Sequence, residues 1–107
     1  MKISICCVGK VKESYFRGAI EEYSKRLGRY CRLEILEVAD CKTPDGAGAA
    51  EEEAIKQTEG DRLLSKIKDD AYVIALAIDG KKLDSVELSD KIAGLGINGV
   101  SHIQFVI

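Results

Sequence analysis

At 107 residues the chain has room for one domain, because halves of that length would not enclose a core. It is 46% hydrophobic and 32% charged with a formal net charge of −2, which excludes a disordered or membrane-embedded chain. The longest uninterrupted apolar run, Ala71–Ile78, is eight residues. A membrane span needs roughly 20, and Met1–Val8 is too short and wrongly flanked to be a secretory signal, so a cytoplasmic location is expected.

Residues Lys2–Val8 read as a strand ended by Gly9. From Lys12 the apolar period lengthens, and Phe16, Ile20, Tyr23, Leu27 and Tyr30 form the stripe of an amphipathic helix. Glu21–Lys25 and Glu22–Arg26 are i,i+4 pairs on its polar side. Leu33–Ala39 is a strand with Glu34 on one face and Glu37 on the other, the pattern of a sheet edge. Thr43-Pro44-Asp45-Gly46 is a turn, since proline presets φ and glycine accepts a positive φ.

A second helix is expected from about Ala49 to Lys68, with Gly60 as a possible break. Glu51, Glu52 and Glu53 stand near its positive end and Lys66 and Lys68 near its negative end. Its stripe is Ile55, Leu63, Leu64 and Ile67. Tyr72–Ile78 is apolar throughout and reads as a strand covered on both faces. Asp84-x-x-Glu87 has the form of a capping box that opens a third helix, with Leu88, Ile92 and Leu95 inward. His102–Ile107 is the last strand. The order βαβαβαβ predicts an α/β fold: a mainly parallel four-stranded sheet in a three-layer arrangement with right-handed crossovers.

Chemical motifs are sparse. Cys6 and Cys7 are adjacent, Cys31 and Cys41 stand alone, and no C-x-x-C pair exists, so reduced thiols and no metal are expected. Gly94-Leu95-Gly96-Ile97-Asn98-Gly99 matches G-x-G-x-x-G, but it closes a helix and precedes a strand, the reverse of a dinucleotide site. It reads as a helix cap and turn. Gly9-Lys10 lacks the upstream glycine of a P-loop, and Asp79-Gly80 is as readily a plain turn as a ligand loop. His102 has no obvious catalytic partner. Charge is unevenly spread: Lys10 to Arg32 holds seven basic residues and three acids, leaving the acidic excess elsewhere. That basic first quarter could meet phosphate, or be an ordinary solvated helix face.

Several stretches carry a resemblance. Met1-Lys2-Ile3, Cys7-Val8-Gly9-Lys10-Val11-Lys12-Glu13, Glu22-Tyr23-Ser24-Lys25-Arg26-Leu27 with Arg29-Tyr30, Lys42-Thr43-Pro44, Glu51-Glu52-Glu53, Glu59-Gly60 with Leu63-Leu64, and Ala71–Leu76 resemble the bacterial RlmH-type ribosomal RNA methyltransferases. These SPOUT-class enzymes methylate N3 of a pseudouridine in large-subunit RNA, using S-adenosylmethionine. The resemblance covers the whole chain. It implies a SPOUT α/β-knot domain truncated before the glycine-rich loop, the knot and the dimer-forming tail, with the catalytic basic residues absent. Of the family's cofactor contacts only Leu76 is matched, and it is equally readable as an ordinary core leucine. Three expectations follow: no tight S-adenosylmethionine binding, weak electrostatic RNA contact through Lys10, Lys12, Lys25, Arg26 and Arg29, and no methyl transfer by these residues alone. A non-catalytic RNA- or ribosome-binding module and a structural truncation of the knotted fold are the alternatives. In place of the family homodimer, self-association through the uncharged Tyr72–Ile78 edge is expected.

Overall fold

Four short strands and three helices alternate along the chain, and the computed structural model describes all 107 residues. The strands are β1 (Lys2–Val8), β2 (Arg32–Val38), β3 (Tyr72–Ala75) and β4 (His102–Val106); the helices are α1 (Ser14–Leu27), α2 (Ala49–Leu64) and α3 (Ser85–Ile97). All pairings are parallel, in the order β2-β1-β4-β3. Right-handed crossovers put α1 and α3 on one face and α2 on the other. The α/β class and the parallel sheet are therefore as expected, and β2 is an edge, as its two glutamates indicate. No helix is long and apolar enough to cross a membrane.

Register divides the sheet into two unlike faces. Lys2 pairs with both Arg32 and His102, and Ser4 with both Glu34 and Gln104, so these side chains share the α2 face with Cys6. Ile3, Ile5, Leu33, Ile35, Ile103 and Phe105 share the other. β4 is central, and His102, Ile103, Gln104 and Phe105 are all buried. The seven buried residues comprise Cys6, Val38, Ile103 and Phe105 with Ser4, His102 and Gln104. The polar face is thus well covered, while the apolar face is half open.

The α1 stripe is not buried: Phe16, Ile20, Tyr23, Leu27 and Tyr30 are all exposed. The radius of gyration, 15.8 Å, exceeds the about 13 Å of a compact domain of this length, as helices standing off the sheet require. In α3, Leu88, Ile92 and Leu95 are half-buried and face inward as expected.

Local chemistry accounts for the boundaries. The capping box forms: Asp84 accepts from the Glu87 N–H at 2.8 Å, and Glu87 accepts from the Asp84 N–H at 3.3 Å. At the other end of α3, the Val100 N–H donates to the Leu95 carbonyl at 2.9 Å and the Gly99 N–H to the Gly96 carbonyl at 3.1 Å. With Gly99 at φ 90°, this is a Schellman cap, which explains the glycine-rich string without any nucleotide. The turn after β2 is closed by the Ala47 N–H on the Pro44 carbonyl at 3.1 Å, with Gly46 at φ 74°.

Two expected ranges shorten. α2 continues through Gly60 without a break but ends at Leu64, before Lys66 and Lys68. The reason lies across the sheet: the Gln104 amide captures the Lys66 carbonyl at 3.1 Å and the Lys68 N–H at 2.6 Å, holding that segment out of the helix. β3 stops at Ala75 because β4 ends at Val106, whose carbonyl takes the Leu76 N–H at 2.8 Å. Beyond it the chain turns at Ala77–Gly80, and Ile78 is fully exposed. β3 is the second sheet edge, as expected, but its faces are not both covered: Tyr72 is 38% and Val73 41% exposed.

Candidate nucleic-acid interface

The carboxyl ends of parallel strands are where α/β folds usually bind ligands. β1 delivers Gly9, at φ 77°, and then Lys10 to that end, and the turn leads directly into α1. A groove of about 680 Å³ opens there, with Lys10, Lys12 and Glu13 on its rim and Phe16, Ile20 and Tyr23 along its floor. Phe16 is 53% and Tyr23 65% exposed, so aromatic faces lie open beside two lysines. Neither lysine takes part in an ion pair. Cationic side chains beside exposed rings suit a phosphate backbone with stacked bases.

The five basic residues singled out in the sequence do not form one patch. α1 has 14 residues and so runs about 21 Å back along the sheet. Lys25, Arg26 and Arg29 therefore sit at the amino end of the strands, a helix length from Lys10 and Lys12. Arg26 is also engaged with Glu22 at 3.0 Å. Leu76 lies at the carboxyl end of β3, where the sequence puts it, but it is 55% exposed on an open surface. No group of three Cys, His, Asp or Glu side chains is placed to ligate a metal, and all four cysteines are free.

One polar constellation escaped the sequence. His102 Nε2 lies 2.8 Å from Ser4 Oγ, and Ser4 donates to Glu34 Oε2 at 3.3 Å, so His102 does have a partner. Lys2 closes the chain on the same carboxylate oxygen at 3.1 Å. Ser4 has one hydroxyl proton; spending it on Glu34 makes the imidazole the donor to Ser4 Oγ. The chain thus runs from His102 through Ser4 to Glu34. The bonds from Lys2 and Ser4 hold the Glu34 carboxyl below the usual range, against some desolvation. The serine stands between histidine and glutamate, the wrong order for a nucleophilic triad. Cys6, beside Ser4 on the same face, has its thiol pushed up by burial, and so does Cys7. Neither is an activated nucleophile.

Comparison with known proteins accounts for this layout. The family model described as "Predicted SPOUT methyltransferase" matches residues 1–107. Over all 107 residues the chain is 60% identical to a protein of Bifidobacterium adolescentis, 55% to one of Clostridium beijerinckii and 52% to one of Bifidobacterium animalis subsp. lactis. Each is named ribosomal RNA large subunit methyltransferase H, and the chain spans 67% of the length of each. Identity of this size over the whole chain, with a family match to residues 1–107 and a parallel α/β sheet, leaves one conclusion: the chain belongs to the SPOUT methyltransferase family.

Proposed function

We propose that residues 1–107 form one α/β unit of a cytoplasmic methyltransferase that modifies N3 of a pseudouridine in large-subunit ribosomal RNA with S-adenosylmethionine. The observation that carries the reading is the 60% identity, over the full 107 residues, to a protein named ribosomal RNA large subunit methyltransferase H. Within that activity this unit's task is to hold RNA. Lys10 and Lys12 meet phosphates, and Phe16 and Tyr23 offer stacking faces at the end of the sheet where Leu76 lies.

S-adenosylmethionine supplies the activated methyl group, and Leu76 is the residue of this chain that would touch it. The remainder of the pocket falls to the about one third of the relatives' length outside the match. Residues 1–107 alone therefore transfer no methyl group, and the unpaired β3 edge favours self-association in place of the family homodimer.

Calorimetry and RNA titration test this. S-adenosylmethionine should give no micromolar binding to the 107-residue chain, while single-stranded large-subunit RNA should bind at low salt and dissociate as salt rises. Micromolar cofactor binding, or RNA affinity unchanged by salt, refutes the division of labour.

A further inference from the structure

The geometry points to a second anion site, at the opposite end of the sheet from Lys10 and Leu76, that takes a backbone phosphate of RNA. It rests on the RNA-binding reading above. A cavity of about 510 Å³ opens at the amino ends of the strands, lined in part by Lys2, Arg32, Lys68, Asp70 and His102. Topology assembles it. Arg32, Lys2 and His102 stand in register on β2, β1 and β4, three adjacent strands about 4.8 Å apart, so their side chains form one row on the α2 face. Lys68 joins from the segment before β3, where the Gln104 amide fixes its backbone N–H at 2.6 Å.

Three features distinguish this row from an ordinary solvated surface. First, Arg32 and Lys2 are directly opposed like charges, which is unfavourable unless an anion lies between them. Glu34 engages Lys2 at 3.1 Å, but neither Arg32 nor Lys68 has an ion-pair partner. Second, His102 is 93% removed from solvent, being only 7% exposed, yet it lines the cavity. Its Nε2 is taken by Ser4, which fixes the ring in the cavity wall as a reporter of whatever enters. Third, the positive excess sits on a chain whose net charge is −2, so it is a local concentration of charge. Asp70 is the one acidic side chain in the lining, and it opposes an anion.

The ligand chemistry follows from these groups. A guanidinium and two ammonium groups around one concavity suit the oxygens of a phosphate. A phosphodiester is favoured over a free phosphate because the cavity opens on the end of the sheet that also receives Arg29 and the end of α1. An RNA strand crossing that end would meet basic groups on both faces of the sheet, Arg32 and Lys68 on one and Arg29 on the other.

The test uses the full 107-residue chain, a fluorescent ten-nucleotide single-stranded RNA, and inorganic phosphate followed by NMR of the His102 ring. The double variant R32A/K68A should weaken RNA binding about tenfold at low salt. It should also flatten the dependence of log K on log salt by about 1.4, from two phosphate contacts at about 0.7 each. D70N should tighten binding. Arg32, Lys68 and Asp70 are all exposed, so these changes leave the fold intact. If K10A/K12A weakens RNA binding and R32A/K68A leaves both affinity and slope unchanged, the second site is refuted and the methyltransferase reading stands. If inorganic phosphate shifts the His102 ring but RNA binding ignores R32A/K68A, the cavity takes a free phosphate and the RNA assignment is wrong. If the native chain binds no RNA at low salt, both readings fall.

Discussion

Gln104 is the side chain on which the α2–β3 connection depends, and its removal gives the most direct test of the fold. It is fully buried in the central strand, yet both ends of its amide are used: Oε1 accepts from the Lys68 N–H at 2.6 Å, and Nε2 donates to the Lys66 carbonyl at 3.1 Å. Gln104→Met keeps the length and bulk of the side chain and deletes both bonds. Each orphaned backbone group costs about 1–3 kcal/mol. Lys66 and Lys68 are exposed residues, so water can reach their main chain and the low end of that range applies, giving about 2 kcal/mol in total. For a chain of this size that lowers Tm by about 8–16 °C. Gln104→Ala loses the same bonds and adds a cavity, so its cost should be roughly 4 kcal/mol. Urea unfolding followed by far-ultraviolet circular dichroism measures both variants, and hydrogen exchange at the Lys68 amide reports the bond itself. A Met variant as stable as the native chain, with Lys68 still protected, would show that Gln104 acts by packing alone and that the connection is held by something else.

Two further outcomes follow from other parts of the sheet. Val73, on the unpaired β3 edge and 41% exposed, should when replaced by lysine reduce any concentration-dependent association seen by light scattering, because a charged edge resists strand addition. A native chain that stays monomeric at high concentration, or a V73K chain with the same oligomer, removes the edge from consideration. Glu34 ionises more readily folded than unfolded, so the stability it adds is complete above the ordinary carboxylate range and is lost as pH falls through its lowered value. Glu34→Gln should therefore be less stable than native at neutral pH and lose less on acidification; parallel acid limbs in a pH series of urea midpoints would contradict this.

What the sequence made legible was whatever is decided within a few residues. The Asp84–Glu87 box and the Gly99 cap are contacts across three to five positions, and the edge character of β2 is written in Glu34 and Glu37. Alternating helices and strands were enough for the parallel sheet. Contacts set by register were not legible. Ser4 and His102 are 98 residues apart, and nothing local says that they meet at 2.8 Å. Lys2, Arg32 and Lys68 are likewise an unremarkable scatter until β2, β1 and β4 align them. The basic first helix shows the converse. Neighbours in sequence, Lys10–Lys12 and Lys25–Arg29, are separated in space because a crossover helix carries the chain back across the sheet.

That dependence on register also explains why a buried face would be polar. A strand slipped by one residue exchanges its two faces. If β4 slipped against β1, Gln104 would leave Lys66 and Lys68 for the apolar side, and His102 would lose Ser4. Several buried polar groups would be stranded at once, at about 1–3 kcal/mol each. An all-aliphatic β4 would suffer far less, since Ile103 and Phe105 would pack on either side. The hydrogen bonds linking His102, Ser4 and Glu34, and those from Gln104 to Lys66 and Lys68, therefore act chiefly as a register device, discriminating one strand alignment from its neighbours rather than deepening the fold overall. The same alignment is what places Arg32, Lys2 and His102 in one row. A chain that holds its register through these polar contacts also holds the anion cavity in shape, so loss of Gln104 should blunt the phosphate response of the His102 ring before the sheet itself unfolds.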